Sequence, residues 1–194
     1  MSTSESRTSP KTLVWGMTGL LAAMILIAAG RWLGPMAEGQ HAMQEGRLQA
    51  ALERYGTAER RLAGSAAGRR LLPSLRDRAV SNELSLMYSL KQYDEVIDRA
   101  GAVESAAARF WAGCALFAKA DVDISDKNRL TWMAQAQREF RRAIEANPDD
   151  FDARFNYELT GRLIAGMKKD PLLERPKDLQ MLTPSSAQAP RKVS

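Results

Sequence analysis

Apolar positions along this chain follow two regimes. From Thr12 to Gly30 the run TLVWGMTGLLAAMILIAAG has no charge and no polar face. Beyond Met36 apolar residues return every three or four positions, the period of a helix that buries one side. The uncharged run is 19 residues long, between Lys11 and Arg31. As a helix it measures about 28 Å, close to the hydrocarbon thickness of a bilayer. A cleaved signal peptide is the competing reading, but its apolar region is shorter, about 7–15 residues. Here Arg31 also follows the small residues at once. Residues 12–33 are therefore expected to be a retained transmembrane anchor, behind a short Ser/Thr-rich cytoplasmic segment at residues 1–11. Trp15 and Trp32 lie near its two ends, where indoles favour headgroup regions. Arg7, Lys11 and the α-amino group precede the run and tip the orientation toward N-terminus in, C-terminal domain out. In a bacterial cell that is a single-pass inner-membrane protein with a periplasmic domain.

The periodic part predicts a chain of helices and no strands. Met36–Leu62 reads as helical, with a break or bend at Gly46 or Gly56. Gly64–Gly68 reads as a turn, and Pro73 stands where proline opens a helix. Leu75, Ala79, Asn82, Leu86 and Leu90 then keep helical spacing. Further helices are expected at Leu90–Ala100, Ser105–Lys119, Arg129–Ala146 and Phe151–Met167. The last is capped by Asp149 or Asp150 and carries Phe155, Leu159 and Leu163 on one stripe. Residues 171–194 hold four prolines and little periodicity, and are expected to be a flexible tail. Within that tail, Leu179–Leu182 (LQML) either docks on a partner or packs back on the helices.

A finer pattern overlies the helices. Ala136, Phe140, Ala143 and Pro148 are small, large, small and helix-stopping. Ala51, Tyr55 and Ala58 repeat the first three. These spacings belong to the second helix of a tetratricopeptide (TPR) hairpin: small residues let paired helices approach, and the aromatic fills the gap between hairpins. The expected fold is all-α: a single N-terminal transmembrane helix followed by a short TPR-like α-hairpin solenoid over residues 36–170. Such arrays present surfaces to other proteins. Phe117 to Ala136 is too long for one repeat, so ADVDISDKNR (Ala120–Arg129) reads as an insertion of about ten residues. Its aspartates suggest a calcium loop, but Asp126 stands where that loop needs glycine and Trp132 where it needs glutamate. Ser125 or Asp126 capping a helix is the plainer reading.

Charge changes the picture once it is divided. The chain has a formal net charge of +5, yet residues 34–170 hold 21 basic against 20 acidic side chains. A nucleic-acid binder concentrates positive charge on its folded part, so nucleic acid is not an expected partner. Cys114 is the single cysteine. It precludes an internal disulfide and, in an apolar helix, reads as core. His41 is the single histidine, beside the anchor and without a nearby nucleophile. No HExxH, P-loop, CxxC or dinucleotide glycine motif occurs. The expectation is a protein that is not an enzyme and uses no cofactor or metal. Aromatics gather in the C-terminal half (Phe110, Trp111, Phe117, Trp132, Phe140, Phe151, Phe155 and Tyr157) and read mostly as core. Phe110 and Trp111 are adjacent and cannot share one helix face, which leaves one for a partner. Candidate partner-binding residues are Trp111, Asp121, Asp123, Asp126 and Trp132.

An anchor, degenerate hairpins and the closing phrase NPDDFDARFNYELTGRLI together resemble the MxaK family of membrane-anchored accessory proteins of periplasmic methanol dehydrogenase systems. The phrase also resembles TPR segments of von Willebrand factor A-type envelope proteins that work with MoxR-type ATPases. The specific part of the resemblance is Phe140–Ile164, and it carries no catalytic residues. It implies assistance in maturing methanol dehydrogenase, by calcium insertion or activation of the quinone enzyme, together with von Willebrand factor A-type partners. The alternative is a structural TPR subunit of another cell-envelope complex. A hydrolase or redox protein built on Cys114 is a third class, and thiol reactivity decides it.

Overall fold

A computed structural model describes residues 10–122, 126–169 and 181; residues 1–9, 123–125, 170–180 and 182–194 lie outside the described residues. All regular structure among them is helical: α1 (Pro10–Gln44), α2 (Leu48–Gly64), α3 (Ala66–Leu71), α4 (Pro73–Ser89), α5 (Tyr93–Gly101), α6 (Ala106–Val122), α7 (Asp126–Ala146) and α8 (Phe151–Lys169). Each helix packs mainly on the helices one or two steps along the chain. The core is therefore a row of local interfaces.

Local chemistry sets the helix ends. Gly46 adopts φ 74°. Its N–H donates to Met43 O and that of Arg47 to Ala42 O (2.8 Å), which closes α1 with a left-handed residue. Lys91 (φ 60°) does the same for α4: its N–H donates to Tyr88 O, and Gln92 N–H to Met87 O, both 2.9 Å. Pro73 opens α4. Ser65, Ser105 and Asp150 accept from the N–H groups of Gly68 (2.9 Å), Ala108 (3.1 Å) and Ala153 (3.0 Å), as N-cap side chains do.

Four expectations change. The chain breaks at Gly46 only, while Gly56 lies inside α2, buried beside the Glu83 carboxylate. Gly64–Gly68 is no open turn, because the Ser65 cap starts α3. α1 runs without interruption across the boundary drawn between anchor and domain. Phe155 leaves the apolar stripe: Ala153, Asn156, Leu159, Thr160, Leu163 and Met167 face inward, and Phe155 stacks on Phe151 outside, with rings 6.4 Å apart.

The backbone of α1 begins at Pro10, but the side chains of residues 10–18, 21, 22, 25, 28, 29 and 32 lie outside the described ones. Among the described residues no helix is long and apolar enough to cross a membrane. Leu20, Met24, Leu26 and Ile27 are all exposed. The second half of α1 packs antiparallel on α2. Arg31 meets Arg61, Gly39 and Gln40 meet Tyr55, and Ala42 clusters with Ala51. Pro35 lies buried inside α1. Having no N–H, it leaves the carbonyl of Arg31 without its helical donor. The Arg61 guanidinium supplies one, at 3.0 Å.

The same close approach recurs at the other end of the row. A Cβ on Gly39 would meet the Tyr55 ring at 3.1 Å, and one on Gly113 would meet the Phe140 ring at 2.6 Å. Both aromatics are flanked by buried alanines, Ala51 and Ala58 on α2, Ala136 and Ala143 on α7. The glycine and aromatic are 16 positions apart in the first hairpin and 27 in the second. Of the inserted residues, 120–122 and 126–129 are helical. α6 continues to Val122 and α7 begins at Asp126, so the hairpin is raised by about 8 Å.

Candidate functional site

The raised end of α6–α7 stands beside α5 and forms a cleft in the C-terminal half. Its volume is about 600 Å³, lined by Lys91, Tyr93, Asp94, Glu95, Lys119, Val122 and Trp132. Three helices are tied together across it. Lys119 of α6 forms an ion pair with Asp94 of α5 and sits 4.5 Å from the centre of the Trp132 ring of α7. A cation over an indole face is attracted by the ring quadrupole. Lys91 reaches the same cleft from the left-handed corner before α5, where glycine is the unstrained residue. Tyr93 packs on Tyr88, with ring centres 5.5 Å apart, and Tyr88 in turn on Trp111 at 5.5 Å.

A second groove of about 380 Å³ shares Tyr93 and Val122 with the first. Its other walls are Tyr88, Phe117, Ala118, Asp121 and Met181. Met181, half-buried, packs against the core from the C-terminal tail. Of the two fates open to the LQML element, its described residue therefore shows the intramolecular one. The combined surface joins aromatic walls to charges of both signs, Lys91 and Lys119 against Asp94, Glu95 and Asp121. Such a surface suits a peptide that presents an apolar side chain and flanking charge.

The expected partner-binding residues divide. Trp132 and Asp121 stand in these two grooves, and Asp121 is exposed. Asp126 opens α7, but its side chain, like the whole of Asp123, lies outside the described residues. Trp111 is corrected: it is 2% exposed and offers no ring to a partner. Its Nε1 donates to Ser81 Oγ at 3.3 Å, and Phe110 is buried beside it, edge to face. Adjacent residues are both covered because α6 is enclosed by α4 and α5 on one flank and α7 on the other. The rule that neighbours face apart holds, but both faces are interior. Lys91, Tyr93, Asp94 and Lys119 were not foreseen. No local pattern marks them as a site, because the cleft needs three helices to exist.

Cys114 is fully buried. Burial, then the charges of Asp152 and Asp150, push its thiol well above the ordinary value of 9.0. The folded state therefore holds that proton more tightly than the unfolded one. The contribution to stability is full below pH 9.0 and is lost as pH rises above it. Thiol-alkylating reagent at neutral pH is expected to leave the native chain unlabelled over a period in which the denatured chain reacts completely; mass spectrometry reads both. Rapid labelling of the native chain would revive Cys114 as a nucleophile. Among the described residues no group of three or more His, Cys, Asp or Glu side chains is placed to hold a metal ion.

Fold and cleft together define a chain that is all-helical among its described residues, with an aromatic groove near the tip of the α6–α7 hairpin. No family model matches the chain, and no curated protein and no solved structure matches it.

Proposed function

We propose that this chain is a membrane-anchored, non-enzymatic TPR-type adaptor of the bacterial inner membrane, with its helical domain in the periplasm. It would assist maturation of methanol dehydrogenase, through calcium insertion or activation, together with von Willebrand factor A-type partners. No nucleic acid takes part and no cofactor is used. The observation that carries the adaptor reading is the cleft bounded by Tyr93, Lys119 and Trp132 on a hairpin lengthened beyond its counterpart at Gly39–Tyr55. What supports the anchor is the uncharged run Thr12–Gly30 on a helix continuous with the domain, with Leu20, Met24, Leu26 and Ile27 exposed as lipid-facing side chains would be. The methanol dehydrogenase assignment rests on the resemblance of Phe140–Ile164 alone. Confinement by the anchor raises the effective concentration of domain and partner without tight contacts.

Affinity capture of the tagged full chain from its native membranes in mild detergent, followed by mass spectrometry, tests this. Methanol dehydrogenase or von Willebrand factor A-type proteins are expected with the native sequence. Their recovery is expected to fall about tenfold or more with Trp132→Ala, as removal of an interface aromatic costs about 2 kcal/mol. Equal recovery with both chains removes the cleft from the mechanism, and absence of these partners removes the assignment.

One observation favours a second reading, a structural subunit of another envelope complex. Phe151 is 64% and Phe155 38% exposed, and they stack on the outer face of α8, the last helix of the row. A permanent neighbour would cover them. That reading expects a stoichiometric complex that survives detergent and gel filtration.

A further inference from the structure

The charge of the helical domain is balanced overall but not locally. Residues 60–71 contain Arg60, Arg61, Arg69 and Arg70 and no acidic residue. All four are exposed, as is Arg31. Nearby acids are engaged elsewhere: Glu59 is buried and pairs with Arg76 and Arg99, and Glu83 pairs with Arg99. Among the described residues, the corner arginines contact only hydroxyl and carbonyl oxygens. Arg60 donates to Thr57 Oγ1 (3.1 Å), Arg61 to Arg31 O (3.0 Å) and Arg69 to Ala63 O (2.6 Å).

The position of this corner is fixed by the antiparallel register of α1 and α2. Arg31 ends the uncharged run, and Arg61 reaches its carbonyl. The end of α2 therefore lies level with the end of that run. α3 folds against the same end: Gly68 comes so near the Leu62 carbonyl that a Cβ would meet it at 2.3 Å. Arg69, Arg70 and Leu71, the last 75% exposed, consequently project where α1 leaves its apolar stretch. Guanidinium groups match phosphate oxygens in bidentate geometry. A leucine among them suits the headgroup boundary.

We propose that the α2–α3 corner, built from Arg31, Arg60, Arg61, Arg69, Arg70 and Leu71, is a docking surface for the anionic phospholipid headgroups of the bilayer that α1 enters. The proposal rests on the anchor reading above. It gives the domain two attachments to the membrane, the helix and the arginine corner. Together they fix its tilt and hold the cleft at a set height and direction. Pro35 belongs to the same device, since it frees the carbonyl that locks Arg61 at the surface.

The test uses the full chain in nanodiscs of phosphatidylcholine, with and without phosphatidylglycerol. Amide hydrogen exchange is read by mass spectrometry. Exchange across α3 is expected to slow by about tenfold or more in the anionic discs, each basic residue near such a surface contributing about fivefold. High salt should abolish the effect. It should also be absent in Arg60→Gln/Arg70→Gln, a variant that leaves the Arg61–Arg31 and Arg69–Ala63 bonds intact. Unchanged exchange in α6 and α7 shows that the variant remains folded. Equal exchange of α3 in the two lipids, with the chain retained in the discs, overturns the lipid surface alone. Release of the chain from the discs by alkaline carbonate overturns the anchor, and the lipid surface with it.

Discussion

Phe140→Ala is expected to destabilise the helical domain by about 3–5 kcal/mol, the range for deleting a fully buried aromatic. The ring is fully buried on α7 and meets Phe110 edge to face, 5.8 Å between centres. It occupies the hollow over Gly113, where even a Cβ would come within 2.6 Å of it. Deletion leaves a cavity bounded by two helices that also carry Cys114, Phe117, Ala136 and Ala143. For a domain of this size the midpoint of thermal unfolding should fall by about 10 °C, read by circular dichroism. Gly113→Ala should be costly alone but less so beside Phe140→Leu, because the two substitutions share one space. If the two effects simply add, the ring does not depend on that glycine.

The second large effect is expected at Arg99. Its guanidinium lies 3.1 Å from Glu59 and 3.2 Å from Glu83, and Glu59 also takes Arg76 at 3.2 Å. The two carboxylates come from α2 and α4 and the arginine from α5, so one group fastens three helices. Burial acts to lower the Arg99 pKa, but hydrogen bonding and charge from Glu83, then Glu59, overcome it and hold the group above its ordinary value. The Arg99 side of the pairing is thus charged at neutral pH and loses its charge only in strong alkali. Arg99→Met leaves the buried Glu83 carboxylate without its arginine, while Glu59 keeps Arg76 alone. The expected loss at neutral pH is about 3 kcal/mol, the lower end of the range for an unpaired buried charge, because the arginine retains some access to water. Adding Glu59→Gln and Glu83→Gln should return most of that stability. Urea denaturation measures all three chains. No recovery in the triple variant would mean that Arg99 acts through packing of its stem.

Much of the row of helices could be read from spacing. Ala136, Phe140 and Ala143, and Ala51, Tyr55 and Ala58, announce their buried faces because a helix that packs on one neighbour needs a small–large–small stripe. Pro73 and Asp150 mark helix starts for reasons that involve only the next few backbone donors. Where the reading failed, a third body was involved. Trp111 was assigned to the surface because adjacent residues point apart, yet α6 has neighbours on both flanks. ADVDISDKNR reads as an insertion because a repeat of fixed length has no place for it. Its described residues, 120–122 and 126–129, are taken up by extension of α6 and α7. The cleft was legible only at Trp132 and Asp121. Its other walls, Lys91, Tyr93, Asp94 and Lys119, are separated in sequence and meet through an ion pair and a cation–ring contact.

The sequence by itself determined that this protein is helical, where most helices begin and end, and which faces of α2 and α7 are buried. Each of these follows from periodicity and capping, whose interactions span only a few residues. The tertiary structure alone decided that Arg61 serves the carbonyl freed by Pro35, that the arginines of residues 60–71 lie level with the end of the apolar run, and that Lys119 bridges Asp94 and Trp132. Those contacts join residues 13 to 30 positions apart, and helix packing, which no local pattern encodes, sets the distances between them.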